Sequence, residues 1–397
     1  MIKIYPIRSL MSHGDFISAD SNRLVDSLKA ELPGESFAFI DSLDGLDPED
    51  LLLILVQSGG SEGIFQREVY PAYDGPYYLL TYGSSNSLAA SLEILSYLRR
   101  EGKRGEVLHG SPKYIAERIE ALKNEKAEKP LARLGILGEP SDWLISSEVD
   151  PEECKDRFGI ELVKIPNEAV EEAIKGVKSV PETKGFDYDQ AEIAKALQIY
   201  EGLKEIVKEY RLKGFTIRCF DLLKSIHSSA CLALSLFNHD GIIGSCEGDV
   251  PALLTAYFVQ KELGIRSFQA NPQWVDIEKN CIEFAHCTLP LDMADHFVLD
   301  THFESGIGVG IHGEMRTGPV TIVKLSGDLR HFYCEEGILT ANEYRRDRCR
   351  TQIVIRMDAP VSYFLRNPLG NHHQIIYGHN KERLVALFGR LGLEAVR

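Results

Sequence analysis

Between Gly241 and Leu263 the chain changes pattern sharply. The apolar pair Ile242-Ile243 gives way to Ser245-Cys246-Glu247-Gly248-Asp249, and then Val250, Leu253, Leu254, Tyr257, Phe258 and Leu263 recur at helical spacing. The pattern predicts strand, tight turn and helix. Asp249 stands where an N-cap belongs, and Pro251 falls in the first turn, where its missing N–H costs nothing. Glu247 is then left on the elbow, beyond the carboxyl end of a strand and beside a helix N-terminus, where open α/β sheets collect ligands.

The same alternation runs through the earlier chain. Ile2–Ile7, Phe37–Ile40, Leu51–Gln57, Tyr77–Thr81 and Gly105–His109 read as strands, with helical segments over Ser21–Leu32, from Leu88 to Leu98 and over Pro112–Leu122. Such spacing predicts a parallel, doubly wound sheet, with the polar loops Ser58–Gly63 and Gly83–Ser87 at one edge. The charged, proline-bearing stretch Asn124–Arg133 lacks apolar periodicity and marks a boundary. A second unit follows, with strands Leu134–Leu137, Ile160–Ile165 and Thr216–Phe220. Its helices are Tyr188–Leu212, after a Pro/Lys/Gly-containing stretch Ser179–Phe186, and Asp221–Phe237. After Leu263 come short strand-like runs, Ile265–Asn271, Cys281–Cys287, Phe297–His302, Ile307–His312, Val320–Leu325 and Gln352–Arg356, divided by Gly, Pro, Asp and Asn; a helix at Lys381–Leu391 closes the chain. The expected architecture is α/β: two doubly wound α/β domains (1–128 and 129–264) followed by a β-rich, barrel-like domain (265–397).

Composition narrows the partners. The 397 residues carry a formal charge of −15, which repels phosphate backbones and anionic lipid, so neither nucleic acid nor a membrane is expected as partner. The longest aliphatic run, Leu51–Val56, is too short to span a bilayer, and no basic, apolar leader pattern precedes the first strand. A cytoplasmic protein is expected. Eight cysteines without a C-x-x-C pair fit reduced, buried thiols.

Two motifs compete for attention. Gly59-Gly60-Ser61-Glu62-Gly63 fits the G-x-S-x-G of a serine nucleophile, but Pro71 interrupts the helix that should follow. A loop whose small side chains touch a hydroxylated ligand is the better expectation. Gly308-Val309-Gly310-Ile311-His312-Gly313 fits G-x-G-x-x-G but sits in a strand pattern, not at a strand-to-helix turn. Metal-capable residues concentrate late: Glu247, Asp249, Asn271, His286, His302, Glu304, His312, His372 and His373. Glu247, His286 and the His372-His373 pair each fall at an element's end beside a small residue (Gly248, Ala285, Gly370) that would let a ligand approach. A carboxylate with two imidazoles suits a divalent metal that also takes water or sugar oxygens.

CEGDVPALLT (Cys246–Thr255), AHCTLP (Ala285–Pro290), GPVTIVKL (Gly318–Leu325), CRTQ (Cys349–Gln352) and LGNHH (Leu369–His373), in this order, resemble the L-fucose and L-arabinose isomerases, in particular the shorter fucose-isomerase-like proteins. The GGSE loop at Gly59 and NSLAASLEIL from Asn86 extend the resemblance over most of the chain. It implies a homo-oligomer, trimer or hexamer, with sites between subunits, and aldose-ketose interconversion through an enediol on a divalent metal, commonly Mn2+. Glu247 matches the metal-bound, proton-moving glutamate, His286 the histidine of the HC motif, and one of His372 or His373 the C-terminal metal histidine. The second acidic ligand should lie about two dozen residues past the glutamate, where Asn271 stands instead. An asparagine can offer a carbonyl oxygen to a metal but cannot take a proton. The expected assignments are Glu247 and Asn271 as catalytic groups, Glu247, Asn271, His286, His372 and His373 as metal ligands, and Ser61, Glu62, Ser85, Asn86, Asp249 and His302 as sugar contacts. A neutral 6-deoxyhexose or pentose is the expected substrate. The alternatives are a non-catalytic sugar-binding or regulatory protein with a degenerate site, and a hydrolase using Ser61.

Overall fold

A computed structural model describes residues 1–396 apart from 13, 45, 48–49, 74, 128–131 and 182–185. The Asn124–Arg133 stretch with the 128/129 boundary, and the Ser179–Phe186 stretch, lie partly outside the described residues. The chain divides into two compact units, Met1–Pro130 and Leu131–Arg397.

In the first unit five parallel strands, β1 (Ile2–Ile7), β2 (Phe37–Phe39), β3 (Leu51–Val56), β4 (Tyr77–Leu80) and β5 (Gly105–Leu108), pair in the order β2-β1-β3-β4-β5. Between them lie α1 (Asp15–Glu31), the short α2 (Glu62–Ile64) and α3 (Ser87–Arg100), and α4 (Pro112–Ala127) follows β5. Every residue of β3 is buried, as a central parallel strand covered on both faces requires. The segment after Ser61 stays helical only to Val69 and stops before Pro71. The loops after β3 and β4 touch: the Gly59 N–H donates to the Ser85 carbonyl at 2.7 Å, and Ser85 and Asn86 both take left-handed backbone.

The second unit joins an α/β sheet to a barrel. Its parallel sheet holds β6 (Ala132–Leu137), β7 (Ile160–Ile165), β8 (Gly214–Ile217) and β9 (Ile243–Cys246) in the order β7-β6-β8-β9. The helices are α5 (Pro151–Phe158), α6 (Asn167–Lys175), α7 (Gln190–Glu209), α8 (Cys219–Ser225), α9 (Cys231–His239) and α10 (Val250–Leu263). The single helix expected over Asp221–Phe237 is two. Residues Ile226–Ala230 break it because Ser229 is held elsewhere: its Oγ accepts from the Val309 N–H at 3.1 Å. A Cβ on Gly308 would come within 2.4 Å of the Ser229 nitrogen. Gly308 therefore admits a neighbouring backbone, and Gly310 and Gly313 face the side chains of Arg350, Cys287 and Leu289, which leaves no nucleotide cradle in this run.

Beyond α10, the strands β10 (Phe268–Asp276), β11 (Cys281–His286), β14 (Gly318–Leu325), β15 (His331–Glu343), β16 (Thr351–Met357) and β17 (His373–Tyr377) close an antiparallel six-stranded barrel. Its order is β14-β17-β10-β11-β16-β15 and back to β14. A hairpin of β12 (Ala294–Asp300) and β13 (Gly310–Met315) stands apart; α11 (Tyr363–Arg366), α12 (Lys381–Arg390) and β18 (Glu394–Ala395) complete the chain. Two barrel strands, β15 and β17, had no counterpart in the sequence pattern. Glu335-Glu336-Gly337 hides β15, and Gly337 is there because a Cβ would meet the Arg356 carbonyl oxygen at 2.6 Å.

Helix α10 is apolar almost all round, as a helix covered on both sides must be. Val250, Leu253, Leu254, Phe258 and Val259 share one buried cluster with Leu134 and Ile243 of the sheet and with Val323, Leu325 and Ile376 of the barrel. The start of this helix is thereby fixed between two sheets. Among the described residues no helix is long and apolar enough to cross a membrane, and all eight cysteines are free thiols.

Candidate metal centre

Strand β9 ends at Cys246, and Gln269 of β10 clamps that end: its Oε1 accepts from the Cys246 N–H (2.9 Å) and the Ser245 hydroxyl (2.7 Å). Glu247 then takes φ +63°, a left-handed conformation that a non-glycine residue adopts only where its surroundings hold it. They do so here through backbone bonds on both sides, Ser141 N–H to the Glu247 carbonyl at 3.1 Å and Gly248 N–H to Ile217 at 3.0 Å. Gly248 itself leaves no room for a ligand. A Cβ there would meet the Pro140 Cα at 2.7 Å, so this glycine admits the backbone of the Glu139-Pro140 loop, and Gly370 likewise faces the Lys324 side chain.

The turn aims Glu247 at two histidines. Its Oε1 lies 3.5 Å from His372 Nε2 and 3.9 Å from His286 Nε2. One ligand atom from each of the three residues falls within 4.8 Å of the others. Both Nε2 atoms are buried without a hydrogen-bond partner, and so is Asn271 Oδ1. Buried polar atoms are seldom left unpaired in this way, and a carboxylate beside two imidazoles is a suitable donor set for a divalent cation. Glu247, His286 and His372 could hold one.

Their surroundings hold these side chains in place. His372 Nδ1 meets Asp249 Oδ2 at 2.8 Å, while Asp249 Oδ1 accepts the Ala252 N–H at 2.8 Å as the α10 N-cap. Asp249 is fully buried, and the equally buried Lys324 has its Nζ 3.9 Å away. Carboxylates that orient a metal-binding imidazole through its far nitrogen do this work. His286 Nδ1 accepts the Cys287 N–H at 2.9 Å and lies 3.1 Å from the Thr288 hydroxyl, so the ring is held from its far side. The indole N–H of Trp143, half exposed at 51%, donates to Glu247 Oε2 at 2.7 Å, and its ring sits edge-on to Phe220.

The charges are strongly biased. Burial would raise the Glu247 carboxyl, but the charge of the nearby His372, with His286 and the Trp143 N–H, outweighs it and holds the group at about 2. Burial likewise opposes charge on His372, yet Glu247 and Asp249 lift its imidazole to about 9. His286, dominated by burial and then by the neighbouring His372, falls to about 4. The site thus contains two imidazoles of opposite tendency.

A cavity of about 170 Å³ opens in front of this cluster. Glu247, Asn271, His286 and His302 line it, together with Glu304, Phe220 and five cysteines. His302 keeps its Nδ1 at 2.9 Å from the Ser305 hydroxyl.

Two expected site residues are placed elsewhere. His373 points into Phe284, Tyr363 and Phe364, with Nε2 at 3.2 Å from the Tyr363 hydroxyl and Nδ1 at 2.8 Å from the Asn371 carbonyl, so it is His372 that faces Glu247. Asp249, expected to touch sugar, is sealed behind His372. Ser61 is fully buried and donates its hydroxyl to the Ser58 carbonyl at 2.6 Å, a turn-closing bond that leaves no exposed nucleophile. Glu62, Ser85 and Asn86 belong, with Ser61, to the other compact unit, at the two touching loops. Trp143, Gln269 and Lys324 gave no signal in the sequence, because each acts on the site across a long loop of chain.

No family model matches the chain. It is similar to the sulfoquinovose isomerases of Priestia aryabhattai and Priestia megaterium, 23% identical over 339 residues that cover 78% of this chain and 75% of each relative. With the sulfoquinovose isomerase of Alkalicoccus urumqiensis it shares 25% identity over 223 residues, 51% of this chain and 49% of the relative. These likenesses support a sugar isomerase, an intramolecular oxidoreductase, as the class of enzyme.

Proposed function

We propose that the protein is an aldose-ketose isomerase that works on an open-chain sugar with a divalent metal, Mn2+, held by Glu247, His286 and His372. The observation that carries this reading is the meeting of the Glu247 carboxylate with two buried, unpartnered Nε2 atoms, beside a cavity that Glu247 and His286 line. A divalent cation held there would supply Lewis-acid charge that makes the proton on C2, beside the sugar's carbonyl carbon, more acidic. Glu247 takes that proton from C2 and returns it to C1 as the hydroxyl proton passes from O2 to O1, while the Trp143 N–H fixes the orientation of the carboxylate. Asn271 offers its unpaired Oδ1 as a neutral ligand or as an acceptor for a sugar hydroxyl, and His302 and Glu304 contact the remaining hydroxyls.

The substrate we propose is a neutral 6-deoxyhexose or pentose. Among the described residues lining the cavity there is no lysine or arginine. The sulfonate of the sugar in the relatives' name would need a cationic partner from outside that wall. We further propose a cytoplasmic homo-oligomer, trimer or hexamer, as the resemblance to the fucose and arabinose isomerases implies. The decisive experiment incubates the Mn2+-loaded protein with pentoses, 6-deoxyhexoses and sulfoquinovose and reads ketose formation. Turnover of a neutral sugar, lost with a chelator and restored by Mn2+, is the expected result; turnover of sulfoquinovose alone would overturn the substrate assignment.

Asn271 favours one second reading, a sugar-binding protein whose site lost its second acid. Asn271→Asp separates the two. In an isomerase whose metal is already held by three groups, an added negative oxygen tightens Mn2+ binding that is already measurable by calorimetry. Mn2+ binding that exists only in the variant, with metal-free sugar binding in the wild type, would favour the second reading. Trp143→Phe gives a smaller effect. The ring against Phe220 is kept and one hydrogen bond to a charged oxygen is lost, worth about 1.5–3 kcal/mol, so turnover should fall roughly 10- to 100-fold with folding unchanged. An unaltered rate would show that the indole N–H does not orient the carboxylate.

A further inference from the structure

Five of the eight cysteines, Cys219, Cys231, Cys246, Cys287 and Cys349, line the one cavity in front of Glu247. Nothing in aldose-ketose interconversion requires a thiol. Two of the five are nearly in bonding position: the Sγ atoms of Cys219 and Cys246 lie 3.1 Å apart. The cause is topological. Strands β8 and β9 are parallel neighbours with Ile217 opposite Cys246, so a residue two past the end of β8 turns back over the end of β9. Cys246 is held by Gln269 through its own N–H. Cys219 begins the short helix α8. A disulfide needs sulfurs about 2.05 Å apart, so closure requires a shift of about 1 Å.

We propose that Cys219 and Cys246 form a dithiol modification site that a hydroperoxide, entering through the cavity, converts to a disulfide. One sulfur attacks the peroxide: an S–O bond forms, the O–O bond breaks, and the alcohol, or water from hydrogen peroxide, leaves with the thiol proton. The thiol is thereby oxidised by two electrons to a sulfenic acid and the peroxide is reduced. The second sulfur then displaces hydroxide from the first, forming S–S, and water departs with the second thiol proton. Because Cys246 is bonded to Glu247, the covalent tie pulls directly on the elbow that aims the carboxylate. Turnover should fall with cross-linking and return on reduction. That consequence rests on the isomerase reading; the bond itself does not.

The test treats the whole reduced protein with hydrogen peroxide, blocks the remaining thiols by alkylation and maps the peptides by mass spectrometry. The expected product has lost the mass of two hydrogens, yields a Cys219–Cys246 cross-linked peptide, and is restored by dithiothreitol. Cys154 and Cys334, buried and absent from the cavity wall, serve as internal controls and should be alkylated only after denaturation. A bridge confined to Cys231, Cys287 and Cys349, over-oxidation of Cys246 without a cross-link, or retention of all eight thiols would each overturn the proposal. Cys219→Ala should abolish the cross-link, and the wild-type map decides the matter should that variant fail to fold. A cross-link in a protein that turns over no sugar, oxidised or reduced, would count against the isomerase reading and leave the dithiol standing.

Discussion

Glu247→Gln should lower turnover by about 10² to 10⁴, the range for a positioned acid or base, while the protein stays folded. The amide keeps the size of the carboxylate and an oxygen for the Trp143 N–H, so the elbow retains its backbone bonds to Ser141 and Ile217. What is lost is the proton acceptor and one negative charge between His286 and His372. Mn2+ affinity should fall as well, because an amide oxygen is a weaker ligand than a carboxylate for a divalent ion. Turnover measured at saturating metal separates the two losses: the base is missing whatever the metal occupancy. A rate within a few-fold of the wild type at saturating Mn2+ would move the proton transfer to Glu304, the other carboxylate on the cavity wall. In that case Glu304→Gln would show the large loss instead.

The elbow could be read from the sequence because its signals are local. Asp249 caps α10 through the Ala252 N–H, Pro251 lies in the first turn, and Glu247 occupies the turn after β9, as the residue pattern required. The two sheets and the barrel were legible for the same reason: strands and helices announce themselves over stretches of five to fifteen or so residues. Choices that depend on register were not. His372 and His373 are adjacent and chemically identical, and the pairing of His373 with Ala270 sends one ring into the aromatic cluster and leaves the other facing Glu247. A slip of one residue would exchange them, so only the three-dimensional pairing decides. The break between α8 and α9 was hidden too, since it is caused by Val309, about 80 residues later. A glycine misled: Gly248 looks like space for a ligand and is space for another stretch of backbone, as Gly308 is in the run already set aside as a nucleotide site.

Asp249→Asn should destabilise the protein by about 3–5 kcal/mol, the cost of leaving a buried charge without its partner. Asparagine caps a helix as well as aspartate does, so the Ala252 N–H bond and the start of α10 should survive. The charge does not. Lys324 is fully buried, its Nζ has no hydrogen-bond partner, and Asp249 is the carboxylate 3.9 Å from it. Burial already pushes the Lys324 amine down, with Asp249 opposing. Removing Asp249 leaves the burial cost unopposed, so Lys324→Met in the Asp249→Asn background should recover much of the lost stability. Metal affinity should not recover. His372 loses the charged acceptor at Nδ1 in both variants, and such losses weaken metal binding about 10- to 100-fold. The pH dependence has a definite sign. Although burial would raise it, the Asp249 carboxyl is held at about 2 by Lys324 and His372, below its unfolded value of about 3.9. Its contribution is therefore present above about pH 4 and disappears as the pH falls through about 2. Both variants should lack that part of the acid transition in chemical denaturation measured from pH 2 to 7. Equal stability of the single and double variants would mean that Asp249 serves His372 alone and that Lys324 is neutral in the folded protein.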